Sequence, residues 1–243
     1  MWSLYKKEIA TFFSSLTGYL VIGVFLVITG LFLWVIPGDM NILFGGYATL
    51  DSLFYMAPWL YLFLVPAVTM RLFAEEKRTG TIELLYTRPL SELQIVLSKY
   101  LAGVSLVVIS LLPTLIYFYS VYQLGTPTGN IDMGGTIGSY IGLFFLAAIY
   151  VGIGTFCSSL TDNQIVSFVL AVLLCFVFYY GFDAIAEITS SNQLKSVIIN
   201  LGIDEHYQSI SRGVIDSRDL LYFLSTLTLF LYATRLVLIS RKW

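Results

Sequence analysis

The stretch ATFFSSLTGYLVIGVFLVITGLFLWVIPG, Ala10 to Gly38, contains no charged side chain. Its central part, Thr17 to Ile36, is as long as the roughly 20 apolar residues that a helix needs to cross the hydrocarbon of a bilayer. Runs of the same kind follow at Ser52 to Met70, Tyr100 to about Tyr122, Thr136 to Ser158, about Gln164 to Phe182, and Leu220 to Ser240, the last interrupted only by Arg235. The polar residues Ser158, Ser159, Thr161, Asp162 and Asn163 separate the fourth run from the fifth. These runs predict an all-α polytopic membrane protein, one transmembrane domain over 1–243, with spans at about 17–37, 52–73, 93–122, 136–158, 163–182 and 220–240.

Composition agrees with a lipid solvent. Of the 243 residues, 58% are hydrophobic and 12% charged, against about 25% charged in an average soluble domain. Six crossings use about half of such a chain, which leaves loops but no room for a second domain. A net charge of -2 argues against nucleic-acid binding, which requires clustered Lys and Arg on an exposed face. Cys157 and Cys175 lie in apolar runs at different expected depths, so they read as small packing residues and not as a disulfide.

Lys and Arg stay on the cytoplasmic side of short loops. Lys6, Lys7, Arg71, Lys77, Arg78, Arg88, Lys99, Arg235, Arg241 and Lys242 fall on one side, and only Lys195, Arg212 and Arg218 on the other. Both termini are therefore expected in the cytoplasm. Before the first span, a 100° projection of residues 2–16 gathers Trp2, Tyr5, Ile9, Phe12, Phe13 and Leu16 on one face and sets Ser3, Lys7, Glu8 and Ser14 opposite. This pattern predicts an interfacial helix lying on membrane lipids. A cleaved signal peptide is the alternative, but its apolar region is about 7–15 residues long and ends in a small-residue site, whereas this run is longer and continues through Leu31, Phe32, Leu33 and Trp34.

Chemistry-bearing groups are sparse. The single histidine, His206, stands beside Asp204 and Glu205, too few nitrogen ligands for a zinc-type site, so no metal and no catalytic residue is expected. Ion-coupled transporters place ionisable groups at mid-membrane, and the deepest charge in this reading is Arg235, which can snorkel outward. No glycine precedes a lysine, so the phosphate-binding loop G-x-x-x-x-G-K-[ST] is missing. Gly134, Gly138 and Gly142, four residues apart, permit close helix packing, within the chain or across a dimer seam. The segment 183–219 mixes apolar residues with scattered charges and predicts short amphipathic helices capping the outer mouth.

One loop stands out, Ala74 to Ser91, AEEKRTGTIELLYTRPLS. Gly80 ends the extension of the second span, Thr81 to Tyr86 can form a short helix terminated by Pro89, and Ser91 with Gln94 forms a capping box for the third span. Leu84 and Leu85 then stand beside Glu75, Glu76 and Glu83, apolar anchors ringed by carboxylates. The pattern suits a docking surface for a basic-rimmed partner and also a plain solvated loop.

This stretch, with Lys99-Tyr100-Leu101 opening the third span, resembles the signature of ABC-2 type permeases, the membrane subunits of ABC transporters. More narrowly it is similar to permease subunits associated with gliding motility in Bacteroidetes-type bacteria. The resemblance implies a coupling helix on which a separate ABC ATPase subunit docks, with Glu75, Glu76, Gly80, Thr81, Glu83, Leu84, Leu85 and Pro89 contacting or positioning it. It further implies a second permease copy or related membrane subunit, ATP and Mg held only by the ATPase, export, and residence in the bacterial inner membrane. A membrane anchor or scaffold that moves nothing is the competing reading, and an ion-coupled transporter a third.

Overall fold

A computed structural model describes residues 1–87 and 89–240; Arg88, Arg241 and Lys242, used above for orientation, lie outside them. The described residues are largely helical and contain no strand. Six helical stretches among them are long and apolar enough to cross a membrane: Leu16–Val35, Asp51–Arg78, Glu92–Leu124, Met133–Leu160, Gln164–Ile188 and Ser217–Ser240.

The chain begins with α1 (Trp2–Ser14) and α2 (Leu16–Gly30), the latter finished by a wide π turn at Leu31–Val35. A one-turn helix, α3 (Ile42–Gly45), precedes the second span, which is α4 (Asp51–Thr69) extended by α5 (Arg71–Arg78), and the short α6 (Ile82–Tyr86) follows. The third span is α7 (Glu92–Leu111), a 3-10 turn around Pro113, and α8 (Leu115–Leu124). The fourth is α9 (Met133–Leu160), and the fifth joins α10 (Gln164–Phe176) to α11 (Phe182–Ile188) through a second π turn. Two short helices, α12 (Asn192–Ile199) and α13 (Ile203–Ser211), lead to the last span, α14 (Ser217–Ser240). Six crossings return the chain to the end at which it starts. That proximal end holds α1, α5 and α6; the distal end holds α12 and α13.

Helix α11 carries the fifth span six residues past Phe182. At the centre α9 packs on α4, α7, α10, α13 and α14, and small residues make this possible. A Cβ on Gly154 would collide with the Thr69 side chain of α4, and one on Gly103 of α7 would lie 2.8 Å from Val151 Cγ1. Of the spaced glycines, Gly138 abuts the Ile210 carbonyl and Gly142 lies under the Tyr207 ring, where an added Cβ would come within 3.1 Å. Both contacts are with α13 of the same chain. Gly134 has open space around its own added Cβ apart from the Asp132 carboxylate, but Gly213 presses on its backbone.

A break in a span leaves backbone groups that lipid cannot hydrogen-bond, and at two breaks in the second span side chains from elsewhere meet them. Pro58 has no N–H, so the Phe54 carbonyl lacks its partner within α4. Tyr207 of α13 donates its hydroxyl to that oxygen at 2.8 Å. Burial pushes the Tyr207 phenol above its ordinary range, which keeps it a donor. At the Met70 joint the Ser158 hydroxyl of α9 donates to the Met70 carbonyl at 2.9 Å and accepts from the Phe73 and Ala74 amides at 2.9 and 3.1 Å. Cys157 and Cys175 are both buried and unbonded.

Tyr207→Phe should lower stability in detergent by about 1–3 kcal/mol, the cost of a buried carbonyl without a donor. Pro58→Ala supplies the missing N–H, so the same change in a Pro58→Ala background should cost measurably less. Equal losses in both backgrounds, by thermal unfolding, would remove the proline from the explanation.

Candidate functional site

At the proximal end the chain turns sharply between α5 and α6. Gly80 adopts φ +70°, a left-handed conformation that favours glycine. Its amide donates to the Lys77 carbonyl at 3.2 Å, and Thr79 Oγ1 lies 2.9 Å from both the Glu75 carbonyl and Thr81 Oγ1. Helix α6 then spans Ile82–Tyr86, one residue shorter at its start than expected. The capping box on α7 is present: Ser91 Oγ accepts from the Gln94 amide at 3.3 Å, and the Gln94 side chain accepts from the Ser91 amide at 3.2 Å.

The exposed side of this turn carries Gly80, Thr81, Glu83, Leu84 and Pro89, with Glu75 and Leu85 half-buried. Leu84 is 66% exposed. A groove of about 360 Å³ runs between α6 and α1, floored by Leu4, Leu84, Leu85 and Leu90 and edged by Lys7 and Thr81. Leu84 thus stands exposed beside an apolar groove and outside the spans.

Glu76 does not belong to that exposed ring. It is buried and points into the bundle, where Oε1 lies 2.9 Å from Lys7 Nζ and Oε2 2.9 Å from Lys99 Nζ; the second contact is an ion pair without hydrogen-bond alignment. Glu8 of α1 also turns inward, with Oε1 at 3.0 Å from Lys99 Nζ and 3.2 Å from Lys7 Nζ. Lys99 is 1% exposed at its side chain, donates to the Leu72 carbonyl at 2.6 Å, and lies 5.2 Å from the centre of the Phe73 ring. Two cations and two anions thus tie α1, α5 and α7 into one unit of zero net charge.

This arrangement corrects two expectations. The polar face of α1 is not all turned to water, because Glu8 on it is buried with Leu4 and Phe12. Lys99, which the expectation passed over beside Arg235, is the cation buried most completely among the described residues, held by carboxylates from α1 and α5. Burial works against the charged form of Lys7, but Glu76 and Glu8 outweigh it and raise its titration above the ordinary lysine range. The contribution of Lys7 to stability is therefore complete below about pH 10.5 and is lost only as pH rises through the raised value. Further ties hold the same unit: Ser98 Oγ donates to the Met1 carbonyl at 3.1 Å, Tyr5 and Ser105 hydroxyls lie 2.8 Å apart, Lys77 donates to the Ser159 carbonyl, and Arg71 reaches Thr17. No cluster of metal-ligating side chains occurs among the described residues.

Lys99→Met leaves two buried carboxylates sharing the partly exposed Lys7 and should cost about 3–5 kcal/mol. Lys7→Met, at a side chain 57% exposed, should cost under about 1 kcal/mol. Thermal unfolding in detergent at neutral pH checks both, and a similar cost for the two would contradict the division of roles.

Residues 37–199 match the family described as ABC-2 family transporter protein. No curated protein matches the chain. The matched stretch covers more than half of the sequence and includes α3 to α12, with the Gly80 turn, α6 and Lys99. The six-span bundle is a membrane protein's, and the chain belongs to the ABC-2 family of ABC transporter membrane subunits.

Proposed function

We propose that this chain is the permease of an ATP-driven export complex and that a separate ATPase docks on its 74–91 segment, with α6 as the coupling helix. Family membership supports the ABC ATPase as partner. The observation that carries the docking site is Leu84, exposed beside Glu83 on a helix whose base is clamped by buried ion pairs. Leu84 and Leu85 offer the apolar anchors and Glu75 and Glu83 the charged rim, a division typical of interfaces. Gly80, Thr81 and Pro89 set the turn, and Glu76 positions it from inside.

In this reading the proximal end is cytoplasmic and both termini lie there. Two permease copies, identical or related, sit side by side in the bacterial inner membrane, and ATP and Mg are held by the ATPase alone. The narrower resemblance to gliding-motility-associated permease subunits suggests gliding as the process that the complex serves. Closure of the ATPases pushes α6, and the Glu8, Glu76 and Lys99 ties pass that displacement to α1 and α7 as a rigid body.

Glu83→Lys together with Leu84→Lys should abolish co-purification of the ATPase from detergent extracts, with membrane insertion and yield unchanged. Retention of the ATPase by this variant would remove α6 from the interface. In a gliding bacterium, loss of the chain should stop gliding, and normal gliding would discard that assignment alone.

A further inference from the structure

His206 is the only histidine in the chain, and in the fold it stands where three segments meet. Its Nδ1 is 2.7 Å from Asp219 Oδ1 in the first turn of α14, and its Nε2 is 3.0 Å from the carbonyl oxygen of Asn200 at the end of α12. The ring stacks on Tyr222 with centroids 3.9 Å apart. Asp219 is itself buried, and its Oδ2 accepts from the Ser209 hydroxyl at 2.7 Å.

Both atoms that face the ring nitrogens are acceptors. A neutral imidazole has one N–H and one lone pair, so each neutral tautomer beside an ionised Asp219 aims a lone pair at an oxygen. Both contacts are hydrogen bonds only when the His206 and Asp219 pair holds one proton more. Either the imidazolium donates to both oxygens, or a protonated Asp219 donates to Nδ1 while Nε2–H donates to Asn200. The net charge of the pair is zero in both forms.

Charges and dipoles face the pair from every element packed against it. Asn200 lies at the C-terminal end of α12, where the helix carries partial negative charge, and the Tyr222 face attracts a cation. Asp204 and Glu205 flank His206 on α13, and α11 brings Asp183 and Glu187. Lys195 on α12 and Arg218 on α14 are the cations of the neighbouring helices, and neither forms an ion pair with Asp219 among the described residues. From the fifth span and α9 the titratable neighbours are Tyr179 and Tyr150, both uncharged at neutral pH.

We propose that His206 is a proton-operated latch on the distal cap: with the extra proton it ties α12 and α13 to α14, and losing that proton as pH rises releases one of the ties. The other attachments of α13 do not titrate in this range. Tyr207 stays a donor to the Phe54 carbonyl, and the Gly138 contact involves no ionisable group. Deprotonation therefore loosens the α12 side of the cap, leaving the Tyr222 hydroxyl on the Leu201 carbonyl at 2.7 Å as the hydrogen bond from α14 to that end of the helix, while α13 remains seated on α4 and α9.

The test uses the purified full chain in lipid nanodiscs, where a single histidine gives unambiguous nitrogen NMR signals. At about pH 5.5 either both ring nitrogens should be protonated or Nε2 alone beside a protonated Asp219, and at about pH 8 Nδ1 alone. Hydrogen-exchange protection over 192–202, corrected for the intrinsic pH effect, should fall about tenfold across the same interval, the scale of one charged hydrogen bond, while protection over 203–211 holds. Asp204 also titrates, since burial holds it above the ordinary carboxylate range, so Asp204→Asn is the control: it should keep the response, and His206→Gln should abolish it. A single neutral tautomer at every pH, or an unchanged response in His206→Gln, would overturn the latch.

Discussion

A bilayer core offers no water, so every carbonyl and amide freed within a span must find its partner inside the protein. Much of this fold follows from how that demand is met. Straight helices satisfy it alone, but α4 contains Pro58 and Pro66 and bends into α5 at Met70. Tyr207 and Ser158 supply the missing bonds, and each comes from a helix far away in sequence. The breaks that would weaken an isolated span thus become the points at which the bundle is joined. The distal cap is attached at one of them and the proximal turn at the other.

Charge obeys the same economy. Lys99 enters the bundle because two carboxylates and a carbonyl surround it, and a buried ion without such partners is strongly unfavourable. Replacing ion pairs by packed apolar residues often stabilises a protein as much or more, so this cluster is better understood as a device of geometry. It fixes where α1 lies against α5 and α7 at the end where a partner is expected, and leaves the exposed leucine of α6 on a firm base.

Much of the architecture could be read from residues in order. Uncharged runs gave six spans, Gly80 gave the turn, and Ser91 with Gln94 gave the start of α7, because each depends on neighbours within a few positions. The features that were missed are pairings across long distances. Glu8 looked like a water-facing residue of an amphipathic helix, Glu76 like one of three equivalent carboxylates, and His206 like an isolated ring. Their partners Lys99 and Asp219 are identified only when the helices are packed, and periodicity along one helix carries no information about the charge that another will present. The spaced glycines were an intermediate case: their period marked a contact face, while the fold alone shows that α13 of the same chain occupies it at Gly138 and Gly142.

The clamp also imposes an order on biosynthesis. Glu8 leaves the ribosome 91 residues before Lys99, so α1 has to wait on the membrane surface, with its carboxylate still hydrated, until the third span has been inserted. Only then can the first helix of the chain settle, and it does so in the same event that fixes the base of α6. The end of the bundle that holds α1, α5 and α6 is therefore completed last, by a residue of the third span, although its first helix is the earliest part of the chain to be made.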